Sequence, residues 1–170
     1  MKYATLLLFV FIAATSCRKK TQTCFDNGRV TTVNSQYINN SHIDTVTTNG
    51  VFRYDNYSVS GGTIFMYSLN SDVPNANDAA YGSTFFFSAD SGVTSFSYSS
   101  TDLEKRLSYY QPYTAWGGNG QHHITKGTIT GHLDGYKWMV TIDVELPVQD
   151  NVTKKNSLNT TAAFLAGPVM

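Results

Sequence analysis

Apolar and polar residues alternate most cleanly between Gly127 and Leu146, on both sides of Asp134-Gly135. A period of two marks a strand with one buried face, and Asp-Gly readily supplies the two φ > 0 residues of a type I′ turn. The stretch therefore predicts a β-hairpin. A two-residue Asp134-Gly135 loop sets Leu133 opposite Tyr136, Gly131 opposite Trp138, Ile129 opposite Val140 and Thr125 opposite Val144 on the buried face. The other face then pairs His132 with Lys137, Thr130 with Met139, Thr128 with Thr141, and Lys126 with Asp143, an opposite-charge cross-strand pair. Trp138 is expected to cover the bare backbone at Gly131.

Upstream, Arg29 to Ile38, Ile43 to Thr48, Val51 to Val59 and Thr63 to Leu69 alternate in the same way, with Asn39-Asn40-Ser41 and Asn49-Gly50 as turns. They predict an antiparallel meander. Asn70 to Gly82 has no periodicity and reads as a long loop, where binding groups tend to sit. Ser83 to Ala89 is expected to pair with Val93 to Ser99 around Asp90-Ser91-Gly92, with Gly92 left-handed and Phe86 facing Phe96. Phe85, Phe86 and Phe87 are consecutive and cannot share a face, so both sides of that strand must be covered. One helix is predicted by the capping box Thr101-Asp102-Leu103-Glu104, with Leu103 and Leu107 on one stripe and Pro112 preventing continuation. Ser157 to Leu165 reads as a last strand beside Lys137 to Leu146. The fold class is all-β: an antiparallel β-sandwich or open barrel of about eight strands with one short helix.

The start of the chain is different. Lys2 precedes the apolar run Ala4 to Ala14, 11 residues long, and small residues follow it. Such a run is shorter than the ~20 residues of a membrane-spanning helix and fits an export signal over 1–16. Ala14-Thr15-Ser16-Cys17 resembles the lipobox of bacterial lipoproteins, with Ala14 where that family prefers Leu. The resemblance implies cleavage before Cys17 and lipidation of Cys17. Arg18 follows instead of the inner-membrane Asp, which by the same resemblance implies the outer membrane, on either side. Residues 17–24 form the lipidated cysteine and a polar tether, and 25–170 a single β-domain. An acylated Cys17 leaves Cys24 without an intramolecular partner.

Composition narrows the partners. The 12 basic and 12 acidic residues balance, and the tether holds the one cluster of basic residues, which argues against nucleic acid. The segment Tyr109 to Gly120 combines Tyr110, Tyr113 and Trp116 with the amides of Gln111 and Asn119 in a Gly-rich stretch. Flat rings that cover a pyranose face, beside amides that bind hydroxyls, are what a glycan or small-ligand site uses; the alternative is that the rings plug one end of the sheet. His122 and His132 lie about 33 Å apart along an extended strand and cannot share an ion, so no metal or other cofactor is expected. Asp143 and Glu145 share one strand face about 7 Å apart, within reach of a paired-carboxylate hydrolase, but Lys126 opposes Asp143. No catalytic constellation emerges. Three functions are carried forward: a non-catalytic envelope binding module for a glycan or small ligand, a structural or protein-interaction lipoprotein, and a hydrolase.

Overall fold

The computed structural model describes residues 21–26, 29–48, 51–58, 61–72, 80–115, 117–118 and 120–167. In chain order the elements are β1 (Thr21–Asp26), β2 (Arg29–Asn39), β3 (His42–Thr48), β4 (Val51–Ser58), β5 (Gly62–Asp72), β6 (Tyr81–Asp90), β7 (Ser95–Tyr98) and α1 (Ser100–Leu103). There follow β8 (Ser108–Thr114), β9 (Gly117–Gly118), β10 (His122–His123), β11 (Gly127–Asp134), β12 (Lys137–Glu145) and β13 (Ser157–Ala166).

Nine strands run in the order β10-β8-β6-β5-β2-β13-β12-β11-β7 and curl into a half-barrel, with β1 also on β2 and β9 also on β8. The chain is all-β with one short helix, as its alternation requires. The curl is made at β2. Its early residues pair with β1, Asn34 opposite Thr21, whereas β13 reaches only Gln36 and Tyr37, in parallel. A Ser35 hydroxyl bond to the Ala163 carbonyl (2.8 Å) and a Gly167 amide bond to the Tyr37 carbonyl (2.8 Å) reinforce that short seam. About this seam the two halves of the sheet face each other. Phe65 of β5 meets Trp138 of β12 at 5.3 Å, Phe164 of β13 at 5.6 Å and Phe96 of β7 at 5.4 Å, all edge-to-face geometries that favour aromatic pairs.

The three consecutive phenylalanines behave as their adjacency demands. Phe85 and Phe87 enter the interior core, while Phe86 joins Ile43, Ile64 and Tyr109 in a second cluster on the outer face of β5, β6 and β8. Ile43 belongs to β3, so the β3–β4 hairpin contributes cover to this face. The expected meander is corrected here: β2 pairs directly with β5, and β3–β4 is a separate two-stranded sheet inserted between them. The outer face of β11, β12 and β13 is wet, with Thr128, Thr130, His132, Thr141, Asp143 and Glu145 exposed.

Three further expectations change. The β11–β12 hairpin exists, but Leu133 pairs with Trp138, Gly131 with Val140 and Thr128 with Asp143. The loop is Gly135-Tyr136, with Gly135 at φ 64 in the first position, the Gly-X preference of a II′ turn. A shift of two keeps strand side chains on their faces, so Ile129, Gly131, Trp138, Val140 and Val144 are buried with new partners, whereas Leu133 and Tyr136, expected on the buried face, are exposed at the turn. Phe96, not Trp138, covers Gly131: the two are directly paired, and a Cβ at Gly131 would stand 2.3 Å from the Phe96 ring.

Ser83–Ala89 does not pair with Val93–Ser99, and Phe86 does not face Phe96. β6 lies between β5 and β8, and β7 pairs with β11 at the far edge. Ser91 to Thr94 therefore crosses the mouth of the half-barrel, and Gly92 does take φ 75 there. Arg106 ties down the same end, bidentate on Asp90 at 2.9 and 3.2 Å with its guanidinium carbon 4.1 Å from the centre of the Tyr98 ring. The helix is capped two residues earlier than predicted. Asp102 accepts from the Ser99 amide (2.9 Å) and hydroxyl (2.8 Å), and the single turn ends at Leu103. Leu103 enters the interior core and Leu107 the outer cluster, so they share no helical stripe. The last strand, β13, pairs along β12 as its sequence indicates.

Candidate functional site

The aromatic segment that sequence reading assigns to a loop is mostly strand. Ser108–Thr114 forms β8 opposite β6, with Pro112 opposite Ser83. Its other neighbours are the two-residue strands β9 and β10, so it lies near the sheet edge, where a residue without N–H is tolerated. Alternation then separates the candidate ligand residues. Tyr110 points into the core and is 1% exposed, so it presents no ring face to a ligand. Gln111 and Tyr113 lie on the outer face, both half-buried. Gln111 accepts a long bond from Gln121 (3.5 Å), and Tyr113 lays its ring across Gly82 with its hydroxyl on the Asn70 carbonyl oxygen. Trp116 and Asn119, like Cys17, lie outside the described residues. β5 runs to Asp72 and β6 begins at Tyr81, so the expected Asn70–Gly82 loop is shorter at both ends.

Tyr110 has a partner that sequence reading missed. Asp150, in the connection between β12 and β13, is 2% exposed and accepts four hydrogen bonds. The Tyr110 hydroxyl (2.5 Å) and Ser83 hydroxyl (2.6 Å) reach Oδ2; the Val152 (2.9 Å) and Thr153 (2.5 Å) amides reach Oδ1. Burial by itself raises a carboxyl pKa. Here the bonds from Ser83, the Thr153 backbone and Tyr110 outweigh it and hold Asp150 below the usual carboxylate range. Burial pushes the Tyr110 phenol up, and the adjacent Asp150 acceptor and charge add to that. A tyrosine kept protonated against an ionised carboxylate is a rigid donor–acceptor pair. It fastens residues 147–156 over one end of the half-barrel.

The other end is open. There Asn39 and Asn40 at the end of β2, Thr63 of β5, Thr94 from the crossing segment, and the rings of Tyr37 and Trp138 surround a bowl of about 480 Å³. That lies within the size range of small-ligand sites. Thr63 donates to the Asn39 carbonyl oxygen (3.0 Å), which leaves the Asn39 amide hydrogens for solvent or a ligand. Asn40 sits at φ 55, a left-handed conformation that asparagine tolerates, and is exposed at the rim. The Tyr37 hydroxyl donates to the Tyr136 carbonyl (3.2 Å), fixing that ring beside the bowl. Sequence reading treats Asn39-Asn40 as turn punctuation. Their meeting with Trp138, a hundred residues on, is a product of the curl.

Asp143 and Glu145 stand exposed on the outer face and do not line the bowl. Asp143 accepts from Asn159 (3.2 Å), and Glu145, rather than Asp143, pairs with Lys126 (3.5 Å). The His123 ring nitrogen Nε2 lies 3.1 and 3.0 Å from the Leu103 and Arg106 carbonyls, a bifurcated contact that seats α1 on β10. Among the described residues no three His, Cys, Asp or Glu side chains gather as a metal would require. No helix of the described residues is long and apolar enough to cross a membrane. No family model, no curated protein and no solved structure matches this chain.

Proposed function

We propose that the protein is a lipid-anchored module of the cell envelope that holds a glycan or similar small polar ligand without catalysis. The observation that carries this reading is the bowl at the open mouth of the half-barrel, where the rings of Tyr37 and Trp138 meet the amides of Asn39 and Asn40. A concave site whose accessible lining is mainly polar, beside largely buried aromatic rings, suits a small polar ligand held by hydrogen bonds. In this reading Tyr110 serves the fold, and Gln111 and Tyr113 lie on the outer surface, away from the bowl. Anchoring rests on the lipobox-like Ala14-Thr15-Ser16-Cys17. By the same resemblance the outer membrane is the destination.

Two experiments test it. Thr94→Trp, an exposed position at the bowl, should fill the cavity, abolish any thermal shift produced by glycans and leave the unliganded melting temperature unchanged. A glycan shift that survives Thr94→Trp removes the bowl as its site. Cys17→Ser should abolish acyl labelling and release the protein from the membrane fraction; retained labelling refutes the anchor.

A second reading is favoured by one observation: Leu133 and Tyr136, at the β11–β12 turn, are the large apolar residues left exposed among the described residues, 39% and 66%. They suit docking of another envelope protein. Cross-linking from Tyr136 in intact cells that captures a partner, together with no glycan shift, would select it.

A further inference from the structure

Opposite the bowl, at the end closed by residues 147–156, lies a second cleft of about 300 Å³ whose lining includes Arg29, Tyr81, Thr114, Asn151 and Lys154. Arg29 opens β2, Tyr81 opens β6, Thr114 closes β8, and Lys154 comes from the connection that Asp150 pins. The cleft is therefore assembled from four separate parts of the chain. The guanidinium carbon of Arg29 stands 4.6 Å from the centre of the Tyr81 ring, and the Lys154 ammonium 5.3 Å from the same centre.

Each cation gains from the ring face, but bringing two of them to one ring sets like charges against each other. Among the described residues no carboxylate is ion-paired with either. The ion pairs there are Arg106–Asp90, Lys126–Glu145 and Lys137–Asp134. Asp150, the nearest acid to Lys154 in sequence, has both oxygens committed to Ser83, Tyr110 and two backbone amides. Asp72 registers opposite Val30, one place from Arg29, and pairs with neither cation.

Two further features point the same way. Arg29 Nη1 is buried with no hydrogen-bond partner among the described residues, a donor that has lost water without gaining an acceptor. Lys154 adopts φ 58, a left-handed conformation that a lysine rarely takes. Such strain persists where the surrounding structure over-determines it, and it clusters at sites that bind. Here the Asp150–Lys154 and Asp150–Lys155 backbone bonds impose it, at 3.0 and 2.8 Å.

From this convergence we propose that the cleft binds a small solute through an oxyanion group: a carboxylate, sulfate or phosphate. The anion's oxygens accept from the part of the Arg29 guanidinium that lines the cleft and from the Lys154 ammonium, and Tyr81 is the platform that holds both cations. Guanidinium is the side chain best shaped for such an acceptor, since its donors lie in one plane. The site is independent of the bowl, and neither proposal depends on the other.

The test is calorimetric titration of the full-length chain with sodium sulfate, sodium phosphate and sodium acetate, at an ionic strength held constant with chloride. At least one anion should bind saturably at one site, and Arg29→Gln and Lys154→Gly should each weaken it by about tenfold or more. Lys154→Gly keeps the experiment decisive if Arg29→Gln fails to fold, because glycine accepts φ 58 without strain. Sulfate or phosphate binding without acetate assigns a tetrahedral oxyanion, and acetate alone assigns a carboxylate; both uphold the site. No saturable binding of any of the three overturns it. Unchanged affinity in the two variants does so too, as does loss of binding in the bowl variant Thr94→Trp.

Discussion

The Tyr110 hydroxyl donates to the Asp150 carboxylate over 2.5 Å, joining the interior face of β8 to the connection between β12 and β13, 40 residues later. Ser83 of β6 shares the same oxygen, so three separate chain segments meet at one buried charge. Removing that acceptor strands all its donors. Asp150→Asn puts an amide group where donors already converge and should destabilise the fold by about 2–4 kcal/mol. For a domain of this size that lowers the melting temperature by roughly 5–15 °C in a calorimetric scan.

The same pair predicts a pH profile with two limbs. The Asp150 carboxyl is lowered in the folded state, so its contribution is present above the unfolded carboxylate value of about 3.9 and is lost as pH falls through the lower folded value. The Tyr110 phenol is raised by burial and by Asp150, so its contribution is present below the unfolded value of about 10 and is lost as pH rises toward the folded one. Urea midpoints measured across pH should therefore fall at both extremes. Tyr110→Phe should flatten the alkaline limb and Asp150→Asn the acid one.

Phe86 and Phe87 are neighbours on opposite faces, 2% and 1% exposed. Alanine at either should cost about 3–5 kcal/mol, because both leave cavities in packed apolar clusters. Near-neutral Phe86→Ala in denaturant titration would mean that the outer cluster with Ile43 and Tyr109 does not form.

Gly131 accommodates the Phe96 ring, which also stacks on Tyr98 at 5.0 Å and lies 5.3 Å from Trp138. Gly131→Ala drives a methyl into that ring and should destabilise by about 1–3 kcal/mol, although strand propensity alone favours alanine over glycine. A stabilised Gly131→Ala variant would displace Phe96 from this position.

Lys154→Gly should raise stability by about 1 kcal/mol by relieving the left-handed conformation, read as a melting temperature higher by a few degrees. An unchanged or lower value would show that the strain argument fails at this residue.

Alternation by itself carried much of this protein. It determined the all-β class, the β11–β12 and β12–β13 neighbours, and the two-sided burial of Phe85, Phe86 and Phe87, because strand periodicity is local and assigns each side chain a face. Pairing partners are not local. β6 and β7 looked like a hairpin because a three-residue loop joins two alternating runs, yet the interior favours Phe96 across the barrel against Phe65, Phe87 and Gly131. The Tyr109–Gly120 segment looked like a binding loop because rings and amides stand together in a Gly-rich stretch. Near the sheet edge Pro112 is tolerated, and the stretch became a strand that turns Tyr110 inward. The bowl, the Asp150 network and the Arg29–Tyr81–Lys154 cleft each join residues 40 or more positions apart. Only the tertiary curl at the β2–β13 seam could bring them together, since no local pattern records which distant side chains a closing sheet will place at its ends.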